Sequence, residues 1–316
     1  MERRRMLTGG AVVAAAWFVR PAPAYAAGPD SGARLSAGDV ALGRRLFAAG
    51  AYEDLGRLLP LLLAGAEGSA QEGPSGAARA AGVWVLAARL AIKQGRLEEA
   101  GAHAVRAGSA AHRSGDAVVL AGAARAAAPT LRRTGRAGQA LALLEEAHAE
   151  LTAGARPTAA GLDAVGMVAL TAAYTAAQAH LPGLARDFTA RAEETADHLA
   201  THPADELREL SEAQCALYRI GIHRHLGDVD TALAYATALQ PAGLLTPERR
   251  ARAATDTART LLDADDLPGA FAQLRLVELA APDEARRPAV RALTARIAEH
   301  RPALPGLAGY ARRTAA

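Results

Sequence analysis

Apolar residues recur along this chain every three to four positions, which is the spacing of one face of an α-helix. A recurring polar turn separates the helical segments. The turn has the form Gly-Arg/Asp-x-x-x-Ala and stands at 95–100, 135–140 and 227–232, with weaker copies at 50–55, 180–185 and 265–270. Each turn is predicted to join a first helix, A, to a second helix, B. The predicted A-helices are 36–49, 76–94, 115–134, 159–179, 205–226 and 247–264. The predicted B-helices are 52–65, 96–113, 136–153, 183–201, 229–239 and 268–280, followed by a closing helix at 284–300.

The residues of the turn indicate how it ends one helix and begins the next. A glycine accepts the left-handed backbone conformation that closes an α-helix, and polar residues then begin the second helix. The alanine five positions after the glycine is small, which lets two helices cross closely. The position twelve residues before that alanine should be small for the same reason. It is occupied by Gly43, Ala88, Ala128, Ala173, Ile220 and Ala258.

Two further residues stand where a tetratricopeptide repeat has them: Trp84, four positions before Ala88, and Pro282, twelve positions after Ala270. The sequence therefore predicts an all-α fold, a right-handed tetratricopeptide-like (TPR-like) α-solenoid of about six helix pairs with a capping helix. The predicted repeat domain spans 36–300. The Gly- and Pro-containing tail, 301–316, is predicted to be loose.

Composition favours thin layers of paired helices over a thick globular core. Apolar residues make up 51% of the chain but aromatic residues only 4%. Alanine, the best helix former, supplies most of the apolar fraction. The formal net charge is +3, and arginines are interspersed with acidic residues, as on solvated helix faces. Direct nucleic-acid binding is therefore not expected. The single cysteine, Cys215, excludes an intrachain disulfide.

The first residues have the outline of an export signal. Arginines at 3–5 precede an apolar stretch at 6–19, and Ala24-Tyr25-Ala26 has the small-x-small pattern of a cleavage site. The arginines followed by Met-Leu resemble a twin-arginine signal, with cleavage after Ala26. The alternative for 1–26 is a pre-repeat segment of a cytoplasmic protein, so a cytoplasmic and an exported location both stay open. Residues 27–35 are predicted to be a linker. No transmembrane span is expected in the mature chain.

With the repeats placed, the chain resembles the TPR half of actinobacterial helix-turn-helix transcriptional regulators of the XRE type. In that family the repeats are a sensor or interaction module, sometimes for peptides, and an N-terminal helix-turn-helix domain binds DNA. Here only the segment before residue 36 precedes the repeats, so the resemblance implies a regulatory binding module without that domain. The residues that carry the resemblance are 50–55, 58–60, 224–228 with Ala232, 246–252, Asp256, 258–259, 276–278, 281–282 and 290–291.

In a solenoid of this kind the A-helices line the concave face, so their exposed polar residues form a candidate groove for a peptide or protein. Its arginines favour a partner that carries carboxylates. The alternative for each arginine is a solvated side chain that balances a nearby glutamate. The candidate groove residues are Arg79, Arg89, Lys93, Arg125, Arg132, Tyr174, Gln178, Arg219 and Arg259.

Residue patterns typical of enzymes and metal sites are weak. There is no Gly-x-Ser-x-Gly elbow and no phosphate-binding Gly-x4-Gly-Lys loop. His198 and His202 share a helical face, but Pro203 follows at once and marks a helix end. We therefore predict no enzymatic activity, no cofactor and no metal.

Two functional hypotheses follow, and a third, an enzyme, is disfavoured by the missing catalytic motifs. The first is a non-enzymatic regulatory or interaction protein whose groove binds a peptide or protein partner. The alternative is an exported structural scaffold whose outer surfaces organise other proteins. A homodimer is compatible with either hypothesis.

Overall fold

A computed structural model describes residues 34–153, 158–202 and 208–315. Every regular element in these ranges is helical, which confirms the all-α prediction. The helices are α1 Ala37–Ala49, α2 Tyr52–Ser69, α3 Pro74–Lys93, α4 Leu97–Ser114, α5 Ala117–Arg133, α6 Ala137–Thr152, α7 Ala159–Gln178, α8 Pro182–Ala200, α9 Glu212–His225, α10 Val229–Ala238, α11 Pro247–Asp263, α12 Leu267–Ala280, α13 Pro282–Ala285, α14 Pro288–His300 and α15 Leu307–Ala315. A 3₁₀ turn, Pro241–Gly243, precedes α11.

The six turns between helices A and B share one backbone geometry. In each turn one residue adopts the left-handed conformation, and the N–H of the next residue donates to the carbonyl five positions earlier at 2.8–3.0 Å. This is the hydrogen bond of a Schellman helix end. Four of the left-handed residues are glycines, but His180 (φ 55°) and Asp265 (φ 60°) adopt the same conformation. The glycines are Gly50, Gly95, Gly135 and Gly227.

The small residues predicted at the helix crossings are buried between the helices. The residue five positions after each left-handed residue has none of its surface exposed. At Gly43 on α1, a Cβ atom would lie 2.8 Å from Leu86 Cδ1, so a larger residue would force the Leu86 side chain to move. The fully buried residues after the turns are Leu55, Ala100, Ala140, Ala185, Ala232 and Ala270.

Consecutive helices contact each other along the chain, and each A-helix also contacts the A-helix of the next pair. This repeated-helix architecture is that of an α-solenoid. The series α1, α3, α5, α7, α9 and α11 does not end in an open edge, because α11 also contacts α1. The A-helices therefore close around an interior space.

Five side chains join the first helix pairs to the last ones, and we call this group the clasp: Tyr52, Lys93, Glu248, Glu284 and Arg287. The Lys93 ammonium, the only lysine of the chain, binds Glu248 Oε1 at 2.5 Å and also Glu284. The Tyr52 hydroxyl donates to Glu284 Oε1 at 2.5 Å. Arg287 binds Glu284 and donates to the Lys93 carbonyl at 3.3 Å. These contacts hold the solenoid closed.

Two predicted helix boundaries are wrong. The A-helix predicted at 205–226 begins only at Glu212, because Ser211 caps it by accepting a hydrogen bond from the Gln214 N–H at 3.2 Å. The closing helix predicted at 284–300 is split into α13 and α14. Pro288 begins the second of these helices and disfavours helical backbone at Arg287, whose ψ is 141°.

The predicted loose tail is instead a helix packed on α12. One face of α15 buries Leu307, Tyr310 and Thr314. The Tyr310 hydroxyl donates to the Leu274 carbonyl at 3.0 Å, and its ring meets Phe271 edge-on at 5.6 Å. The helix α15 forms despite the glycine and prolines that precede it, because burial of its apolar face with Tyr310 stabilises it.

The predicted signal or pre-repeat segment, 1–26, lies outside the described residues, as does most of the predicted linker, 27–35. The described chain begins with Leu35 already buried, and its N–H donates to Ser69 Oγ at 3.0 Å. Two helices, α3 and α7, are long and apolar enough to cross a membrane by length and composition alone. Both are mostly buried by neighbouring helices.

Candidate functional site

The ring of A-helices encloses two adjoining cavities of about 450 Å³ and about 230 Å³. Both are lined by Phe47, Arg89, Arg125, Glu248 and Arg249, so they form one continuous space. We call this space the arginine cavity. All six A-helices and the segments before α9 and α11 contribute to its walls.

The lining of the arginine cavity is strongly cationic. Among the residues that the structure describes, eleven basic side chains line it, against four acidic ones. This excess of seven positive charges exceeds the formal net charge of the whole chain, which is +3. Positive charge that is dispersed along the sequence is therefore concentrated at one place in the fold. The basic residues are Arg44, Arg89, Lys93, Arg125, Arg132, Arg133, Arg208, Arg249, Arg252, Arg259 and Arg287, and the acidic residues are Asp163, Glu209, Glu248 and Asp256.

In the part of the cavity near α3, carboxylates neutralise most of the arginines. Glu209 accepts from Arg125 at 2.8 Å and lies 3.5 Å from Arg249. Burial alone would raise the pKa of Glu209, but Arg125 and Arg249 outweigh burial and lower it far below its usual range. Arg89 differs: its guanidinium lies 4.1 Å from the centre of the Phe47 ring, and no described carboxylate pairs with it. Burial lowers the pKa of Arg89 for that reason.

The part of the cavity near α11 is lined by Arg132, Arg133, Arg252 and Arg259 together with one carboxylate, Asp256. Asp256 accepts from Arg259 at 2.7 Å and lies 3.5 Å from Arg252. Arg132 and Arg133, at the end of α5, have no carboxylate within 4 Å among the described residues. Burial lowers the pKa of the Arg132 guanidinium to about 10. Arg132 still carries its charge at neutral pH, so this part of the cavity holds uncompensated cations.

Two tyrosines hold these arginines in place. Arg252 lies 4.3 Å from the centre of the Tyr218 ring, and Arg132 lies 5.0 Å from the centre of the Tyr174 ring. Burial alone would raise the pKa of the Tyr218 phenol, but the charges of Arg252, Arg249 and Arg125 outweigh burial and lower it to about 7. A phenol that ionises near neutral pH shows how positive its surroundings are.

The structure brings six of the nine predicted groove residues to the arginine cavity: Arg89, Lys93, Arg125, Arg132, Tyr174 and Arg259. It does not bring the other three there. Arg79, on the first turns of α3, pairs with Glu72 at 3.5 Å. Gln178 is exposed at the end of α7. Arg219 faces away from the cavity, since it binds Glu193 at 2.5 Å and the Tyr235 hydroxyl at 2.6 Å.

The sequence prediction missed several residues of the cavity, and some of them had a detectable signal. The missed residues Arg249, Arg252 and Asp256 lie at intervals of three and four residues in line with the predicted Arg259, so all four lie on one face of α11. A charged stripe on an A-helix is the pattern that a search for a binding groove could have used. Tyr218 carried no such signal, because its importance comes from arginines on other helices.

Groups that could perform nucleophilic or metal chemistry lie apart from the cavity. Burial raises the pKa of the Cys215 thiol to about 12, so this thiol is not poised as a nucleophile. The His198 and His202 rings contact each other edge-on at 5.2 Å. No group of three or more His, Cys, Asp or Glu side chains suited to a metal ion occurs within 34–153, 158–202 and 208–315.

Comparisons with known proteins give limited information. No protein-family model and no curated protein matches this chain. The crystal structure of BtubC (BKLC) from P. vanneervenii is similar to 70% of this chain and 90% of that one, with 19% sequence identity and a TM-score of 0.46. A similarity at that level carries no functional information about this chain.

Proposed function

We propose that this chain is a non-enzymatic regulatory interaction protein that binds an acidic segment of a peptide or protein partner in the arginine cavity. In this proposal the helix pairs are right-handed TPR-like repeats, about six in number, with α14 as the capping helix. The regulatory part rests on the resemblance of the sequence to the sensor half of XRE-type regulators.

One observation carries the proposal: within 34–153, 158–202 and 208–315, eleven basic side chains line the cavity and only four acidic ones do. Like charges this close repel each other, and their enclosure by helices reduces screening by water. A protein gains nothing in stability from such an arrangement, but a ligand with carboxylates would be strongly attracted. Arginine suits this role because its planar guanidinium binds carboxylate oxygens in pairs.

The shape of the site also favours a short segment of a partner. The two cavities together hold a few residues and not a folded domain. The aromatic rings of Phe47, Tyr174 and Tyr218 add apolar surface beside the charged groups. A short acidic segment with apolar side chains matches both features.

Fluorescence anisotropy tests this proposal with two labelled peptides of equal length, one of alternating Glu and Ala and one of alternating Gln and Ala. We expect the full chain to bind the Glu peptide at least tenfold more tightly, and added salt to weaken that binding. In an Arg89→Gln variant the affinity should fall, because Arg89 has no carboxylate partner to release. The matched control is Arg113→Gln, an exposed arginine of α4 outside the cavity. Equal binding of the two peptides, or of neither, would refute the proposal.

The scaffold alternative has one observation in its favour. On α12, Leu276 is 47% exposed and Leu279 is 82% exposed, so this B-helix presents apolar side chains to solvent. Exposed leucines of this kind are common at protein contact sites. If the alternative holds, a Leu276→Ser, Leu279→Ser variant should lose proteins that co-purify with the wild-type chain, and acidic peptides should not compete with them.

A further inference from the structure

The uncompensated charge of the arginine cavity is concentrated at one place, which we call the dianion subsite: Arg132, Arg133, Arg252, Arg259 and Asp256, with the rings of Tyr174 and Tyr218 beside them. All seven side chains except Arg133 belong to residues that are at least partly buried, and all line the same cavity. Asp256 is the only carboxylate in the subsite. The other acidic residue of this part of the cavity, Glu248, is already bound to Lys93 in the clasp.

The Tyr174 ring holds two guanidiniums of the subsite by contacts that leave their charge in place. The Tyr174 ring lies between two of them, with Arg132 at 5.0 Å and Arg252 at 5.7 Å from its centre. Tyr174 is itself fixed, since its ring meets that of Tyr218 edge-on at 6.2 Å and its hydroxyl hydrogen-bonds with His225 Nε2 at 3.1 Å. Cation–π contacts of this kind fix the position of a guanidinium and leave its N–H groups free to donate.

Arg132 has donors that the described part of the chain does not use. Its Nε is buried and has no hydrogen-bond partner within that part. Its Nη1 reaches only Thr175 Oγ1, at a long 3.5 Å. Buried N–H groups of proteins are nearly always paired, so an unpaired charged donor that lines a cavity indicates a ligand. The ligand group must be an acceptor, and the missing charge requires it to be an anion.

The number of charges in the subsite indicates which anion. Four arginines and one carboxylate leave three positive charges, and ionisation of the Tyr218 phenol, whose pKa is about 7, reduces them to two. With the phenol ionised, a single carboxylate of a ligand would leave one positive charge, whereas a group with two negative charges would leave none. The guanidinium fork matches both carboxylate and phosphate oxygens. A phosphate monoester has nearly two negative charges at neutral pH, and two adjacent carboxylates have the same total.

We infer that the dianion subsite binds a group with two negative charges, supplied either by a phosphate monoester or by two adjacent carboxylates. This inference rests on the proposed function, because it specifies which part of an acidic segment the cavity recognises. The ligand supplies hydrogen-bond acceptors for the N–H groups of Arg132 that have no partner in the described part of the protein. Tyr174 and Tyr218 supply the apolar surface against which an aromatic or aliphatic carrier of the dianion packs.

Isothermal titration calorimetry of the full chain at pH 7 with three small probes tests the inference. Phenyl phosphate and phthalate are dianions with the two chemistries, and benzoate is the matched monoanion. We expect both dianions, or one of them, to bind at least tenfold more tightly than benzoate. The tighter dianion identifies the source, a phosphorylated side chain or adjacent carboxylates. Benzoate that binds as tightly as both dianions overturns the inference.

Two variants of Arg132 and one control variant separate the subsite from general attraction by the cavity. Arg132→Gln should weaken the tighter dianion at least tenfold, Arg132→Lys should restore part of the affinity, and Arg113→Gln should change nothing. An Arg132→Gln variant that folds and binds as the wild type does overturns the assignment. If Arg132→Gln does not fold, the pH titration of the Tyr218 phenol in the wild type, with and without the dianion, is the test. A bound dianion should move the ionisation of this phenol to higher pH. An unchanged titration overturns the assignment.

The outcomes for the two proposals differ. Dianions that bind through Arg132 while no acidic peptide binds would support the subsite and refute the peptide function. An acidic peptide that binds regardless of Arg132 would support the peptide function and refute the subsite.

Discussion

Replacing Lys93 with methionine tests whether the clasp holds the solenoid closed. The exposed fractions of the three clasp side chains at issue are 11% for Lys93, 4% for Glu248 and 0% for Glu284. Methionine keeps the length of the side chain but removes its charge, so both carboxylates lose a partner inside the protein. Breaking a buried ion pair typically costs about 3–5 kcal/mol. We expect Lys93→Met to lower the free energy of unfolding by about 3 kcal/mol, the lower end of this range. The loss is limited because Arg249 still lies near Glu248 and Arg287 still binds Glu284.

Urea unfolding followed by far-UV circular dichroism measures this loss. The matched control is Arg57→Met, since Arg57 is 66% exposed and pairs with exposed acids of its own helix. Such an exposed pair contributes little to stability, because water and salt screen the two charges. Burial would raise the pKa of Glu284, but Lys93 and Arg287 outweigh burial and lower it below its ordinary value of 4.5. The contribution of the Glu284 carboxylate is therefore complete above pH 4.5 and is lost as acid protonates it. Burial lowers the pKa of the Lys93 ammonium below its ordinary value of 10.5, so the ion pairs of the clasp also weaken in alkali as Lys93 loses its proton. A Lys93→Met chain as stable as Arg57→Met at neutral pH would refute this account.

Three further predictions concern other parts of the chain. Ala100→Trp should lower the melting temperature strongly, because Ala100 is fully buried at a helix crossing and overpacking costs about 1–3 kcal/mol or more; Ala149→Trp, at an exposed position of α6, should not. Tyr310→Ala should release α15 from α12, and trypsin should then cleave the tail faster than in the wild type. One phenol should ionise near pH 7 in the near-ultraviolet absorbance of the wild type and be missing in Tyr218→Phe. Because the folded-state pKa of Tyr218 lies below its ordinary value of 10, its contribution to stability should grow as the pH rises from 7 towards 10.

Local features of the fold could be predicted from the sequence because they depend on neighbouring residues. Gly95, Gly135 and Gly227 end helices by a backbone conformation that glycine adopts easily. The spacing of the repeated turn also located His180 and Asp265, which adopt that conformation although they are not glycines. The prediction of a loose tail was wrong. It gave more weight to the glycine and prolines at 302–306 than to the helical spacing of Leu307, Tyr310 and Thr314.

The closure of the solenoid could not be predicted in this way. It depends on pairs such as Lys93 with Glu284, which are separated by 191 residues and belong to different repeats. Each of these residues alone has the appearance of a solvated charge. For the same reason, the sequence could not show which of the predicted groove residues line the cavity. Arg132 and Arg219 both lie on A-helices with polar surroundings, and only the fold shows that Arg132 lines the cavity while Arg219 binds Glu193 outside it.

The central claim is that the A-helices enclose an interior cavity that binds anions. Its most direct test is a crystal of the full chain grown with selenate, a tetrahedral dianion whose selenium gives an anomalous signal. We predict an anomalous peak inside the ring of A-helices, within hydrogen-bonding distance of the Arg132 and Arg252 guanidiniums. Selenate bound only on the outer surface, with an interior free of anomalous density, would contradict the claim.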